Sequence, residues 1–122
     1  MERTFDFCSE MLTSGGFARR TDGEYDLSVS MRLVQFEKKD IIINCYKGPH
    51  EICDMGCFIR TPGTDDWELL AATYCPDVQK FTYGGVDTDD FLSIICENRV
   101  DELRQKFYNY DIEKKLEVLN GI

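Results

Sequence analysis

The sequence predicts an α+β fold in which helices pack on one face of an antiparallel sheet of four or five strands. Two observations predict it. Four segments with strand-like patterning follow one another and are separated by turn-forming residues. One short helical segment precedes these strands, and a longer helical segment follows them. The predicted strands are residues 27–37, 41–47, 51–61 and 67–75, arranged as a meander.

The N-terminal helix is predicted over residues 5–13, where apolar residues recur at helical spacing and polar side chains can face water. Thr4 is a suitable N-cap, and the pair Gly15-Gly16 ends the helix. Residues 17–26 form a polar connection, and residues 17–20 of it are an optional extra strand. The inward-facing residues of the helix are Phe5, Cys8 and Leu12.

The first two predicted strands differ in how their apolar residues are distributed. In residues 27–37 the apolar positions change parity, and a β-bulge near Leu33–Val34 reconciles the two halves, because one extra residue reverses the faces. Residues 41–47 are apolar on both faces at their start. That pattern predicts a central strand whose second face is covered near Ile42.

The next two predicted strands alternate regularly. In residues 51–61 the apolar face consists of Cys53, Met55, Cys57 and Ile59, and the other face includes Asp54, Phe58 and Arg60. In residues 67–75 one face consists of Trp67, Leu69, Ala71, Thr73 and Cys75, and the other carries Glu68, Leu70, Ala72 and Tyr74. Residues 79–83 are a candidate fifth strand.

The C-terminal helix is predicted to begin at residues 87–90, where Asp87 or Thr88 can accept hydrogen bonds from free backbone N–H groups. Apolar residues then recur at helical spacing through Phe107, as expected for a helix that lies across a sheet. We predict an interruption at residues 109–111 and a last short helix over residues 112–119.

The length, the hydrophobic pattern and the use of cysteine limit the classes of protein to which the chain can belong. The 122 residues predict a single domain, 1–122. No apolar run approaches the ~20 residues that a membrane-spanning helix needs, and no signal peptide is evident, which together favour the cytoplasm. Most of the six cysteines lie in apolar periodic segments, so we interpret them as reduced core residues.

No combination of residues predicts catalysis, a cofactor or a metal site. The single histidine, His50, lies in a turn and lacks a neighbour that would orient it as a general base. Cys53 and Cys57 are four residues apart on one strand, about 13 Å, which is too far for one tetrahedral zinc ion. The acidic clusters at residues 65–66 and 87–90 are explained by a solvated turn and a helix N-cap. We therefore expect a protein that is not an enzyme.

The strongest functional indication is acidity combined with aromatic residues. The net charge of −9 disfavours direct binding to nucleic acid or to anionic membranes, and it suits a basic protein partner. The second face of the sheet is predicted to carry aromatic anchors within a polar rim, unless a helix covers them. The predicted partner-binding residues are Asp65, Asp66, Asp87, Asp89, Asp90, Tyr46, Phe58 and Tyr74.

In its size, its acidity and its lack of catalytic residues, the chain resembles the small acidic inhibitors of bacteria and phages, such as toxin-immunity proteins and anti-CRISPR proteins. The resemblance covers no sequence motif. It implies a non-enzymatic protein that inhibits or sequesters a basic, nucleic-acid-handling enzyme. The alternative is a small ligand-binding domain or enzyme with a cavity between sheet and helices, and self-association through a sheet edge is a third option.

Overall fold

The computed structural model of the chain describes residues 3–28, 31–48, 53–73 and 85–120. Within these residues the chain forms three helices and five strands. They are α1 (Phe5–Ser14), β1 (Ala18–Ser28), β2 (Met31–Lys38), β3 (Ile41–Lys47), β4 (Cys53–Arg60), β5 (Trp67–Ala72), α2 (Thr88–Cys96) and α3 (Val100–Asn120). The strands form one antiparallel sheet in the order β1-β2-β3-β4-β5. The predicted α+β fold with a meander sheet is confirmed.

The first strand is longer than the sequence indicated. β1 occupies most of the predicted polar connection, and β2 begins only at Met31, so residues 27–37 do not form one strand. Glu24 of β1 accepts hydrogen bonds from Arg19 at 2.7 Å and from Arg32 of β2 at 2.6 Å. The optional strand at residues 17–20 thus corresponds to the start of β1. The rest of β1 was not predicted, because the strand lies at the sheet edge, where charged side chains are common.

The bulge predicted at Leu33–Val34 is wrong. β2 pairs with β3 in an unbroken register from Arg32 to Lys38. The irregularities lie in β1 instead, where the pairing with β2 shifts between Arg19 and Glu24 and again near its end. Leu33 therefore projects away from the core, and the buried face of β2 begins at Val34.

All three helices lie on one face of the sheet. They bury a continuous apolar core against it, whose members include Phe5, Cys8, Leu12, Val34, Phe36, Ile43, Cys45, Cys53, Met55, Cys57, Ala71, Phe91, Leu92, Ile95 and Leu103. Ile42 and Ala72 are also buried, but they lie outside this core, on the second face. β3 is the middle strand and is buried on both faces near Ile42, as predicted.

The predicted helix caps are present. The side chain of Thr4 accepts a hydrogen bond from the backbone N–H of Phe7, so α1 begins where the sequence indicated. The side chain of Asp87 accepts from the backbone N–H groups of Asp89 at 3.1 Å and Asp90 at 3.3 Å, and it caps α2. Each cap satisfies donors that a helix start leaves without partners.

The C-terminal helical segment is interrupted earlier than predicted. α2 ends at Cys96, and Asn98 adopts a left-handed conformation with φ 60° before α3 begins. The Asn98 side chain accepts a hydrogen bond from the Lys38 ammonium group at 2.8 Å. The same ammonium group donates to the carbonyl of Gly15 at 2.9 Å, so one lysine of the sheet joins the ends of two helices.

Residues 109–111, the predicted interruption, lie inside α3. Asn109 accepts a hydrogen bond from Gln105 at 2.9 Å, and Asp111 forms an ion pair with Lys115 at 2.9 Å. Both pairs have i,i+4 spacing, which stabilises helical backbone. Side-chain pairing along α3 therefore stabilises helical backbone at these residues, although their composition is typical of turns.

Ile95→Asp is expected to unfold the protein. Ile95 is fully buried between α2 and the sheet, and an unpaired carboxylate there costs several kcal/mol, a large share of a total stability of about 5–15 kcal/mol. Circular dichroism during urea denaturation measures this loss. Ser93→Asp, at an exposed position of the same helix, is the control and is expected to stay folded. A cooperative wild-type-like transition for Ile95→Asp would contradict this packing.

Gly15→Ala is expected to destabilise the fold by about 1–3 kcal/mol. A Cβ atom at Gly15 would lie 2.5 Å from Sγ and 2.8 Å from Cβ of Cys96, so the ends of α1 and α2 would have to separate. Gly48→Ala is the matched control, because a Cβ atom there meets no heavy atom within 4 Å. Equal denaturation midpoints for the two variants would show that the helix ends do not approach this closely.

Candidate partner-binding face

The sheet face away from the helices carries two of the predicted aromatic anchors, Tyr46 and Phe58. Phe58 pairs with Leu69 and Arg60 pairs with Trp67 across β4 and β5. Side chains of directly paired residues project on the same side of a sheet, so Leu69 and Trp67 share this face. We call the set formed by Phe58, Trp67 and Leu69, together with Tyr46, the aromatic patch. Tyr46 lies about 13 Å along the sheet from Phe58, because Phe58 pairs with Ile42, four residues before Tyr46 on β3.

A bulge in β5 decides which of its side chains reach the aromatic patch. Cys57 pairs with Ala71 and Phe58 pairs with Leu69, which leaves Leu70 as the extra residue between these two pairs. Leu70 is buried in the core. The regular alternation predicted for residues 67–75 is therefore wrong, because the extra residue shifts the parity of the strand.

Because of this bulge, the side chains of β5 before Ala71 lie on the faces opposite to the predicted ones, and two of them change the composition of the candidate site. Trp67 joins the aromatic patch, and the strand pattern alone could not place it there. Glu68 was predicted on the second face, but it pairs with Ile59 and accepts a hydrogen bond from Arg104 of α3 at 3.2 Å. Glu68 thus belongs to the helix-covered side. The single tryptophan was the only sequence signal for a further anchor, since tryptophan is enriched at interface hot spots.

The aromatic patch is half-buried on a face that the described helices leave uncovered. Its four side chains have intermediate exposure. Each of the three helices contributes to the core on the opposite face, through residues such as Phe5, Ile95 and Leu103. The alternative that the N-terminal helix covers these aromatics is therefore wrong.

Tyr46 is held by a polar network on the second face. Gln35 of β2 donates a hydrogen bond to the Asn44 side chain at 2.9 Å, and Asn44 donates to the Tyr46 hydroxyl at 3.3 Å. These contacts restrict the orientation of the tyrosine ring before any partner binds. A restricted anchor loses less conformational entropy on binding.

Arg60 links the aromatic patch to an acidic edge. Its guanidinium group lies 4.9 Å from the centroid of the Trp67 ring, a cation–π contact, and 4.0 Å from the carboxylate of Asp40. Beside it lies a depression of about 390 Å³, which is lined by Asp40, Arg60, Pro62, Gly63, Thr64 and Asp65. Trp67 and the acidic loop are therefore parts of one continuous surface.

The acidic loop between β4 and β5 carries Asp65 and Asp66, and both are exposed. The Thr61 N–H donates to the Asp66 carbonyl at 2.9 Å, and the Asp66 N–H donates to the Thr64 hydroxyl at 3.1 Å. Within the described part of the chain, neither carboxylate forms an ion pair. The loop is thus fixed by its backbone, while its charges face solvent.

The second predicted acidic group has structural roles. Asp87 caps α2, as described above. Asp89 accepts two hydrogen bonds from the Arg3 guanidinium, at 2.8 and 2.9 Å, and this pair lowers the pKa of the Asp89 carboxyl below its usual value. Asp90 forms an ion pair with Lys106 of α3 at 3.4 Å.

The structure does not bring the two acidic groups together. The carbonyl of Arg3, whose side chain holds Asp89, accepts from the N–H of Cys53 at the start of β4. Asp65 and Asp66 follow the opposite end of that eight-residue strand, about 25 Å away. Tyr74, His50 and the candidate strand at residues 79–83 lie outside the described residues.

The cysteines are core residues with suppressed reactivity. The five cysteines in the described part of the chain are free thiols. Contact with Cys53 and burial raise the pKa of the Cys8 thiol, and contact with Cys45 raises that of Cys53. Burial raises the pKa of Cys57 to about 12. Thiols that stay protonated at neutral pH are poor nucleophiles.

Among the described side chains, no group of three or more His, Cys, Asp or Glu is arranged to hold a metal ion.

Of the helices in the described ranges, none is long and apolar enough to cross a bilayer. No protein-family model, curated protein or solved structure matches the chain.

The buried Cys57 thiol is expected to make the fold sensitive to alkaline pH. The unfolded thiol ionises near its ordinary pKa of 9.0, whereas the folded thiol has a pKa of about 12. The native state therefore retains a proton that the unfolded state loses. The free energy of unfolding should fall as pH rises from 9 to 12, by about 1.4 kcal/mol per pH unit for this thiol.

Urea denaturation of wild type and Cys57→Ala as a function of pH measures this contribution. Between pH 6 and 8 the two proteins are expected to differ by a constant amount. Above pH 9 the wild-type stability should decline more steeply. Parallel curves through pH 11 would show that Cys57 ionises as easily in the folded state as in the unfolded one.

Proposed function

We propose that the chain is a non-enzymatic, acidic binding protein that inhibits or sequesters a basic protein, and that the aromatic patch contacts this partner. One observation carries the proposal: a half-buried aromatic surface lies on a sheet face that the described helices do not cover, and acidic side chains border it. Aromatic anchors inside a polar rim are the usual composition of a protein interface.

The charge around the aromatic patch suits a basic partner. Five acidic residues border it, against the two arginines Arg20 and Arg60. The acidic residues are Glu37, Asp40, Asp54, Asp65 and Asp66. Each arginine already lies 4.0 Å from one of these carboxylates, Arg20 from Glu37 and Arg60 from Asp40. Asp65 and Asp66 form no ion pair within the described residues, so they leave negative charge beside the aromatic patch for a basic partner, in agreement with the net charge of −9.

The aromatic and acidic residues have different roles in this proposal. Tyr46, Phe58 and Trp67 provide the apolar contacts that keep the complex together, and they govern its dissociation rate. Asp65 and Asp66 steer the approach of the partner, and their effect decreases with salt. The second acidic group, at Asp87 to Asp90, is expected to contribute less to this steering, because Asp89 and Asp90 form ion pairs with Arg3 and Lys106.

Inhibition by this protein would be steric and electrostatic. A basic enzyme that handles nucleic acid has a positively charged site, and an acidic protein that occupies it excludes the phosphate backbone. No residue of this chain needs to react. The proposal includes no direct contact with nucleic acid or membrane and places the protein in the cytoplasm, where its thiols stay reduced.

The double variant Asp65→Lys/Asp66→Lys is expected to slow association with the partner by roughly tenfold at low salt, with a smaller effect at high salt. The partner is first captured from the native host on immobilised wild-type protein, identified by mass spectrometry and purified. Surface plasmon resonance then gives the rates. Glu10→Lys/Asp101→Lys is the matched control, because it changes the net charge equally at exposed positions of α1 and α3. Equal slowing by both variants would exclude the acidic loop from the interface.

Phe58→Ala is expected to weaken the complex by roughly 30-fold, through faster dissociation, if Phe58 is an anchor worth about 2 kcal/mol. Met11→Ala, which truncates an exposed apolar residue of α1 outside both the aromatic patch and α3, is the control and should bind like wild type. Thermal denaturation of both variants confirms that each is folded. Retention of the partner by Phe58→Ala with wild-type affinity would contradict the proposal, as would capture of a small molecule or metal in place of a basic protein.

A further inference from the structure

Helix α3 has apolar residues on two opposite sides. Its first half packs on the core through Val100, Leu103 and Phe107. Its second half carries a stripe with spacings of four, four and three residues, which places its members on one helix face. We call this stripe, formed by Tyr108, Ile112, Leu116 and Leu119, the outer stripe. Leu103 and Ile112 are nine residues apart, about two and a half turns, so the outer stripe faces away from the core.

The outer stripe is strongly exposed. The exposed fractions are 59% for Tyr108, 39% for Ile112, 51% for Leu116 and 69% for Leu119. Single exposed apolar residues are common, but a continuous helical stripe is the pattern of a docking surface. The sequence therefore maintains an amphipathic segment whose apolar side lacks a cover within the described residues.

The charge pattern around the outer stripe suits a second copy of the same chain. Residues 104–119 carry four basic and three acidic side chains, in contrast to the strongly acidic remainder. A basic partner gains little attraction from such a surface. One flank of the stripe holds Asp111 and Lys115, which already form an ion pair within the helix. When two such helices pack antiparallel, this flank of one copy contacts the same flank of the other copy. Lys115 of each copy then lies opposite Asp111 of the other copy, and the two-fold symmetry produces two such pairs.

We propose that the outer stripe of α3 pairs with the same stripe of a second copy in an antiparallel, two-fold symmetric dimer. The antiparallel arrangement keeps the two acidic sheet domains at opposite ends of the helix pair, where they repel each other least. One helical stripe covers less than the roughly 800 Å² per partner of a standard interface, so the dimer is expected to be weak, with a Kd of roughly 1–100 µM. This inference is independent of the proposed function, because it concerns a different surface.

Sedimentation velocity of the purified full chain, over a concentration series that spans this range, tests the dimer. Wild type is expected to change from monomer to dimer as concentration rises. Leu116→Asp should raise the Kd at least about tenfold, because it places a carboxylate in the centre of the stripe. Leu27→Asp is the matched control, since Leu27 is the same residue type with the same exposed fraction of 51%, at the end of β1.

A charge swap provides a second test that leaves the apolar stripe intact. Lys115→Asp is expected to weaken the dimer, and Asp111→Lys/Lys115→Asp should restore it, because the exchanged pair is again complementary between copies. Wild type that stays monomeric throughout would overturn the proposal. Dimerisation of Leu116→Asp with wild-type affinity, or equal loss in Leu27→Asp, would also overturn it.

Discussion

A sheet has two faces, and the described helices of this chain cover only one of them. The helices before and after the meander both pack on the same side, where the core residues of β3 and β4 project. Lys38 connects the ends of α1 and α2 to the sheet, because its ammonium group donates hydrogen bonds to both the Gly15 carbonyl and the Asn98 side chain. Gly15 lets the ends of α1 and α2 approach more closely than any larger residue would allow. The three helices thus form one layer, and the opposite face of the sheet keeps its aromatic side chains half-buried.

Two surfaces of different character follow from this one-sided packing. The aromatic patch combines rigid anchors with an acidic border, as a basic partner requires. The outer stripe of α3 combines aliphatic side chains with charges of both signs, as a copy of the same helix requires. They lie on different elements, so the two associations proposed here do not compete for residues. A chain that binds its target through the sheet and itself through α3 would present two target sites per dimer, which raises avidity when the target is itself multivalent.

The cysteines illustrate how a reactive residue type becomes a packing residue. Cys8, Cys45, Cys53 and Cys57 are buried between sheet and helices, where a thiol fills space as a small hydrophobe. Contacts between thiols raise the pKa of Cys8 and Cys53, and burial raises the pKa of Cys57, so these three thiols are poor nucleophiles. The same layer is filled with aliphatic and aromatic side chains.

Elements with local signals could be predicted from the amino-acid sequence. The alternation in β4 assigned each side chain to a face, and Thr4 and Asp87 marked where helices begin, because periodicity and capping depend on neighbours a few residues away. The remaining features depend on tertiary contacts. β1 is a strand because its backbone pairs with β2, with Glu24 also bonding Arg32 across the pair, and Asn98 at the helix break accepts a hydrogen bond from Lys38, sixty residues away. The extra residue Leu70 moved Trp67 to the second face, and the length of β4 separated the two acidic groups. Each of these features depends on partners distant in the chain, which a local pattern does not contain.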